Sequence, residues 1–552
     1  MTRRERLVYW LLMLAGVTSL LVFYGWWFMP THIPTNFSGP WRGLDLLIYA
    51  ILTLVLSHRI FMDVYVWVVA RKIKPIVAAP EPEPGLKVAF ITTFVPGVEG
   101  IDLLTRTLPA MLDVDYPHEV WLLDEGDDPD ARALAASLGV RYFTRHGRRE
   151  YNLPAGPFTK KTKGGNHNAW YDSHGHTYDI VAQIDTDFIP RRDFLTATLG
   201  HFRNPRMGWV VTPQIYGNAD DNFVARGAAE QQYTFYGPVL RGLAGRHLAN
   251  MLGANHIVRV AALQDIGLYA GHLTEDLLTG MRLHSRGWES EYVPLPLAIG
   301  EGPDNWRAYF NQQTRWAYGC MHILKTHTRD LLKTMRLPHR LLYLSIQQGY
   351  FSGLAGALGT LLLALYFLGG IEISKLTITG LLIWATPLFV VRQIIRIWLQ
   401  RYSVRPDVEG GVRIAGGLIG IAVWPIYFVA LVRVIRQQPL GFKVTPKGAV
   451  SKRAGGVRQL FRPHLAIALL SLVCLLVGMA YQRESMILQF WVGLNLLTLG
   501  GLWMLAGRLP ALPRRSARRA IAMVPPVEVD GPTPPVEVVR PVIELASYRR
   551  AG

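Results

Sequence analysis

Cysteine is nearly absent. Cys320 and Cys474 are the only two in 552 residues. Cys474 falls in an apolar run, so neither a disulfide framework nor a zinc site is expected. Acidic residues are also few, 40 Asp and Glu against 58 Lys and Arg, for a formal net charge of +18. Zinc-finger, RNA-recognition and helix-turn-helix patterns are missing, so this basic excess does not point to nucleic acid. It fits a face near anionic lipid, or an anionic substrate. Half of all residues are hydrophobic. That composition calls for membrane segments, and the length calls for more than one domain.

Residues 7–29 form one apolar and aromatic run behind Arg3, Arg4 and Arg6, long enough to span a bilayer. The run is too long for a signal peptide and no small-residue cleavage site follows. Tyr24, Trp26 and Trp27 are expected to form an interfacial belt. A second span covers residues 44–70 and is closed by Arg71 and Lys72. It contains His58, Arg59 and Asp63; ionisable groups inside a span face a bundle interior or a wet path. Arg59 and Asp63 stand four apart and are spaced to pair. Further runs lie at about 341–368, 376–399, 465–481 and 487–506. The N-terminal arginines put that end inside, so two spans leave the next block cytoplasmic. The Lys- and Arg-rich residues 433–462 also belong inside. They stay there only if residues 412–434, with several glycines and Pro425, lie at the interface without crossing. The expected topology is six spans with both termini inside.

Residues 78–85 read as a Pro/Glu linker. Beyond it, strand-like runs at 87–94, 119–124, 179–185 and 209–213 alternate with helical stretches, which indicates a mostly parallel α/β sheet. Ligands of such sheets bind beyond the carboxyl ends of strands, where Asp124, Asp185 and Asp187 fall. Asp185-x-Asp187 is either a solvated turn or a carboxylate pair suited to Mg²⁺ or Mn²⁺ shared with a diphosphate. Lys160, Lys161 and Lys163 form a basic loop, of which Lys163 is the candidate for a phosphate. Thr274-Glu275-Asp276 opens a short helix ending near Gly287, with Thr274 as N-cap. The helix dipole favours the Asp276 anion, which serves capping alone or a general base. Helical spacing puts Gln312, Arg315 and Trp316 on one face; an interfacial helix with Trp and Arg anchors would look the same.

In this order, and together with Phe442-Lys-Val-Thr445-Pro-Lys447-Gly448, these motifs resemble the processive membrane-bound family-2 glycosyltransferases. The bacterial cellulose synthase catalytic subunits are the nearest in pattern, over about residues 86–508. The resemblance implies a GT-A-like (Rossmann-like) cytoplasmic domain between transmembrane helices of a bacterial inner membrane. It implies inverting, processive transfer from a UDP-sugar, with UDP-glucose the expected donor, to a growing β-glucan exported through the protein's own channel. By the same resemblance Asp276 is the catalytic base, in one motif with Thr274 and Glu275. Asp124, Lys163, Asp185, Gln312, Arg315, Phe442, Thr445 and Lys447 meet the donor nucleotide. Asp185 and Asp187 hold Mg²⁺ or Mn²⁺. Trp316, Gly253 and Asn255 face the acceptor.

The sequence departs from the family in three places. Glu125 stands at the second position of its Asp-Asp-Gly, Thr92 to Glu99 replaces its Tyr-Asn-Glu, and Gln214 replaces a usual His. Base contacts and linkage therefore stay open. A chitin- or hyaluronan-like synthase, a non-processive transferase acting on a lipid phosphate, and a nucleotide-sensing channel or transporter are the alternatives. Membrane lipids and a periplasmic accessory subunit are expected partners.

The expected organisation is two spans to residue 77, the linker, and a catalytic block at 86–305. Interfacial helices follow at 306–338, two spans at 339–400, an interfacial helix at 401–436, a gating loop at 437–462 and two spans at 463–508. The tail from 509 is Pro-rich and repeats Pro-Pro-Val-Glu-Val, a pattern with no core to bury. Arg514 to Arg519 has the arginine spacing that opens a PilZ domain, but no such domain follows, so cyclic di-GMP is not an expected partner in cis.

Overall fold

The computed structural model describes residues 1–441 and 457–505. The expected gating loop, with Phe442, Thr445 and Lys447, and the tail from 509 lie outside the described residues. Arg3–Trp27 and Gly43–Ala70 are long apolar helices, the first opened by a capping box between Thr2 and Glu5. Trp26 and Trp27 do not form a belt at the surface. Both are buried with Phe23, Tyr49 and Leu388, because two neighbouring helices offer apolar faces to them. Thr53 Oγ1 accepts the Trp27 indole N–H at 3.0 Å, which removes the need for a wet exit.

The central block is built on a seven-stranded sheet in the order β3-β2-β1-β4-β8-β6-β9. Its strands are β1 (Val88–Phe94), β2 (Glu119–Asp124), β3 (Arg141–Thr144), β4 (Ile180–Asp185), β6 (Met207–Val211), β8 (Asn255–Arg259) and β9 (Glu289–Tyr292). Only β8 runs antiparallel to its neighbours. A small second sheet joins β5 (Ile189–Pro190), β10 (Ala298–Gly300) and β7 (Ile215–Tyr216). The strands expected from the apolar runs are present. Successive residues alternate between two cores: Val88, Phe90, Val120 and Leu122 on one face, Ala89, Ile91, Trp121 and Leu123 on the other. Both faces are covered, which is why these strands read as unbroken apolar runs. Parallel register pairs Phe94 with Asp124 and Thr93 with Asp185. The carboxyl ends of β1, β2 and β4 thus converge on one edge.

Trp306–Ile323 leaves this edge as a long helix. Leu337–Gly349 and Ser352–Phe367 follow, meeting at a 46° bend. Among the described residues, six helices are long and apolar enough to cross a membrane: Arg3–Trp27, Gly39–Ala70, Ile378–Tyr402, Ile414–Ile435, Val457–Ala480 and Met486–Leu505. The bent pair would make a seventh. Ile414–Ile435 packs on the central block at both ends. Gly416 N donates to Glu230 Oε2 (2.7 Å), and Ala430 and Val434 pack on Ala317, Tyr318 and Met321.

Asp63 pairs with Arg392, not with Arg59. Nε and Nη2 of Arg392, on the Ile378–Leu399 helix, both reach Asp63 Oδ2, the Nε at 2.7 Å. A guanidinium fork arriving from a neighbouring helix makes two bonds to one carboxylate, which the i,i+4 pair does not offer. Arg59 faces the large cavity described next.

Candidate active site

A single cavity of about 1340 Å³ begins at the carboxyl edge of the sheet and continues between the long apolar helices. Lys163, Asp185, Asp187, Gly253, Thr274, Glu275, Asp276, Gln312, Arg315 and Trp316 all line it. These residues come from five separate segments of the chain.

Lys163 opens the helix Lys163–Ser173, and Thr162 caps it by accepting the Gly165 N–H at 3.1 Å. The cap requires a tight return of the preceding loop. A Cβ on Gly165 would lie 2.2 Å from the Thr159 carbonyl oxygen, so only glycine fits. The Lys163 ammonium reaches across to the Asp185 carboxylate and to the Gly253 carbonyl (2.6 Å). Gln183 donates to the same carbonyl at 2.7 Å. Asp187, two residues on, is buried and faces the same cavity.

No cluster of three or more His, Cys, Asp or Glu side chains with metal-binding geometry occurs among the described residues. The two carboxylates are a donor set for a hard cation that draws its remaining ligands from a diphosphate and water, with the Lys163 ammonium a neighbour and not a ligand. The pair fits Mg²⁺ or Mn²⁺ on those terms.

Glu275–Ser285 is helical, as its spacing requires, and Thr274 holds the N-cap position. Its side chain does not cap. The Thr274 Oγ1 and N–H both turn to His272 Nδ1, each at 3.1 Å. His272 Nε2 in turn lies 3.0 Å from His322 Nδ1 on the Trp306–Ile323 helix. Because Nδ1 accepts the backbone N–H, Nε2 carries the ring proton and donates it. Burial, then His322 and His327, holds the His272 pKa down to about 4, so the bridge is between neutral rings. It ties the loop that presents Asp276 to the helix that presents Arg315.

Asp276 Oδ1 accepts the Leu277 N–H at 2.8 Å. Gly253 lies beside its other oxygen; a Cβ there would come within 3.1 Å of Asp276 Oδ2. Burial raises the pKa of Asp276, opposed by the Leu277 N–H, Lys163 and Arg315. Burial and then the Asp276 charge raise that of Glu275. Trp316, Tyr236, Cys320 and Tyr350 continue the cavity wall toward the long apolar helices.

Residues 180–393, which contain every motif from Asp185 to Trp316, match the model of glycosyl transferase family group 2. The chain carries a family-2 glycosyltransferase domain. The cellulose synthase catalytic subunit (UDP-forming) of Pseudomonas fluorescens (strain SBW25) is 27% identical over 413 residues, covering 72% of this chain and 52% of that protein. The corresponding subunit of Xanthomonas axonopodis pv. citri (strain 306) is 28% identical over 357 residues, covering 62% of this chain and 46% of that protein. The chain thus spans about half the length of these relatives. Among solved structures, a mannosyltransferase from Pyrobaculum calidifontis in complex with GDP-Man and Mn²⁺ aligns at 14% identity and a TM-score of 0.47. It covers 71% of this chain and 100% of that one. The α/β block of the glycosyltransferase domain is GT-A-like and stands between membrane helices, as expected.

Two expected site residues of the glycosyltransferase domain do not face the cavity. Asp124 is fully buried and its oxygens are taken by Gly126 N–H (2.9 Å), Asp128 N–H (2.6 Å) and Tyr142 OH (2.7 Å). It holds the turn after β2. Asn255 is also fully buried, where β8 begins, and donates to Thr212 Oγ1 (2.7 Å) and the Pro213 carbonyl (3.1 Å). It braces the cavity wall from behind.

Glu125, the departure from the family pattern, does line the cavity, and Arg145 explains it. Arg145 forks onto both Glu125 oxygens (2.8 and 2.7 Å) and donates to the carbonyls of Tyr151, Thr159 and Thr162. It thereby fixes the loop leading to Lys163. Neither Arg145 nor the His272–His322 bridge was signalled by the sequence. Arg145 sits in a basic run that reads as a solvated loop, and the two histidines are 50 residues apart.

Proposed function

We propose that the chain is a processive, inverting β-glycosyltransferase that polymerises the sugar of a UDP-sugar, with UDP-glucose as donor and a β-glucan as product. One observation carries the reading. The cavity that holds Lys163, Asp185 and Asp187 also holds Asp276 and Trp316, and runs on past Tyr350 to Met62 and His58 between the apolar helices. Donor, acceptor and outgoing chain then share one path.

In this reading Asp276 takes the proton from the acceptor hydroxyl as its oxygen attacks the anomeric carbon. The bond from that carbon to the diphosphate breaks in the same step, so the configuration inverts. A base so placed contributes about 10²–10⁴-fold. Arg315 and Lys163 bring cationic donors to the leaving diphosphate. Trp316 offers its ring face to the acceptor sugar, and Gly253 leaves room beside the base. Asp185 and Asp187 would hold Mg²⁺ or Mn²⁺, which supplies charge neutralisation at the diphosphate. The arginines before residue 7 and the basic residues after 433 support a cytoplasmic domain in a bacterial inner membrane. The packing of both ends of Ile414–Ile435 on the domain supports an interfacial position for that helix.

The test is product formation by the purified full chain with labelled UDP-glucose, UDP-GlcNAc or UDP-galactose and Mg²⁺ or Mn²⁺. Insoluble polymer from one donor, absent with Asp276→Asn, is the expected result, and linkage-specific glucanases then name the bond. Transfer of a single sugar to a lipid phosphate, with no polymer, would overturn processivity. Turnover unaffected by Asp276→Asn would overturn the assignment of the base.

A further inference from the structure

Part of the cavity's lining, called a branch below, carries residues to which the proposed sugar transfer assigns no role. Its walls are the Gly43–Ala70 helix at Asp63 and Trp67, the Ile378–Leu399 helix at Arg392 and Arg396, and the start of Ile414–Ile435 at Arg413 and Gly417. The second and third of these helices pack on different neighbours. Ile378–Leu399 lies on Arg3–Trp27, and Ile414–Ile435 lies on Phe223–Thr234, Trp306–Ile323 and Ser352–Phe367. A Cβ on Gly417 would meet nothing within 4 Å, so the wall is open there.

The charges in this branch do not balance locally. Asp63 neutralises Arg392. The Glu409 carboxylate is taken by Arg405 at 3.1 Å. Arg413 donates to Thr234 Oγ1 (2.9 Å), Ser403 Oγ (3.1 Å) and the Glu409 carbonyl (3.0 Å), all neutral oxygens. Burial, then the neighbouring Arg396 cation, lowers the pKa of Arg413. Glu230, on the facing wall, turns one oxygen to the Gly416 N–H. Arg396 is exposed and makes no ion pair or hydrogen bond among the described residues.

Both guanidinium groups stand at helix ends. Arg396 is about 5 Å of helix from Leu399, and Arg413 immediately precedes Ile414–Ile435. On the reading that Ile378–Leu399 crosses the membrane, this is headgroup depth. Ile397 and Ile414, each next in the chain to one of these arginines, are exposed at 63% apiece. An exposed Arg396 and a buried Arg413 at that depth, with apolar side chains beside them, suit an amphiphile with an anionic head. Basic pockets between membrane helices take lipid headgroups for this reason, and guanidinium groups bind phosphate oxygens in pairs.

We propose that this branch binds the phosphate headgroup of an anionic glycerophospholipid between Arg396 and Arg413, with its acyl chains passing out between the two helices. The site uses none of the residues assigned to sugar transfer and is tested without any sugar nucleotide, so it holds or fails by itself. The purified full chain in neutral detergent is titrated with phosphatidylglycerol or phosphatidylcholine of the same acyl composition and read by native mass spectrometry. Phosphatidylglycerol is expected to bind roughly fivefold or more tightly than phosphatidylcholine. Arg396→Gln should abolish that preference, and Arg396→Lys should keep part of it. Equal binding of the two lipids, or a preference untouched by Arg396→Gln, overturns the proposal. Full displacement of the lipid by millimolar inorganic phosphate overturns it too, and would give the branch to a soluble anion.

Discussion

Gly319 and Thr274 meet at a distance that no side chain at 319 would permit: a Cβ on Gly319 would lie 2.4 Å from Thr274 Cγ2. The helix carrying Gln312, Arg315 and Trp316 is seated directly on the loop that presents Asp276. Gly319→Ala is expected to force the two apart. Overpacking of this kind costs about 1–3 kcal/mol, and displacing a catalytic group by roughly 1 Å lowers turnover about 10²-fold. Donor turnover and melting temperature, measured together, check this. Unchanged turnover would mean that the loop accommodates the methyl without moving the base.

The pH profile follows from the charge on Asp276. As the proposed base it works only when ionised, and burial raises its pKa above the ordinary 3.8. Activity is therefore present at high pH and lost as pH falls through the raised value, so the acid limb of kcat/KM lies above the usual aspartate range. Arg315 lowers this pKa; Arg315→Ala should move the limb upward as well as reduce the rate. Glu275 shares the site, and the two carboxylates titrate as a pair. Burial and the Asp276 charge hold Glu275 up to about 7, so it is still protonated where Asp276 ionises, and Glu275→Gln should leave the limb in place. A limb that Arg315→Ala does not move would show that another group controls it.

The parts of this fold that the sequence reveals are those set by local pattern. Strands buried on both faces give continuous apolar runs, and β1, β2 and β4 appear where those runs stand. Polar triplets directly after such strands fall at the carboxyl edge, so Asp185 and Asp187 are legible. The i, i+3, i+4 spacing of Gln312, Arg315 and Trp316 puts all three on the cavity. The direction of a single polar side chain is not legible. Asp124 and Asn255 are polar residues at strand ends like the others, yet their partners lie behind the cavity wall. Partners far apart in the chain are equally hidden. Nothing near Asp63 announces Arg392, which is 329 residues away, and Trp26 and Trp27, expected at the membrane interface, are claimed by helices that arrive later in the chain.

Arg145 is the buried member of an ion pair with Glu125, its side chain only 1% exposed. Removing one partner of such a pair strands the other and costs about 3–5 kcal/mol. Arg145→Ala is expected to destabilise the domain by that order and to raise the KM for donor, because the loop ahead of Lys163 loses three carbonyl contacts. Arg145→Lys retains the charge but not the fork, and should fall between the two. Thermal unfolding beside donor titration separates the effects. If Arg145→Ala lowers stability with KM unchanged, the arginine supports the fold without positioning Lys163.

Lys163 and the carboxylate pair make separable claims on the donor. The ammonium already holds Asp185 and the Gly253 carbonyl, so this edge has a cation of its own. Chelation is therefore expected to abolish transfer while shifting the melting temperature little, with Mg²⁺ or Mn²⁺ restoring activity. Asp187→Asn should raise the metal concentration needed for half-maximal rate by about tenfold or more. Lys163→Gln removes charge-assisted bonds worth about 1.5–3 kcal/mol each; it should raise the KM for donor about 10- to 100-fold without changing the metal requirement. The two variants then differ in which titration they displace. If both displace only the donor curve, Asp187 is not a metal ligand; if both displace the metal curve, Lys163 acts by holding Asp185 in place and not by meeting the diphosphate.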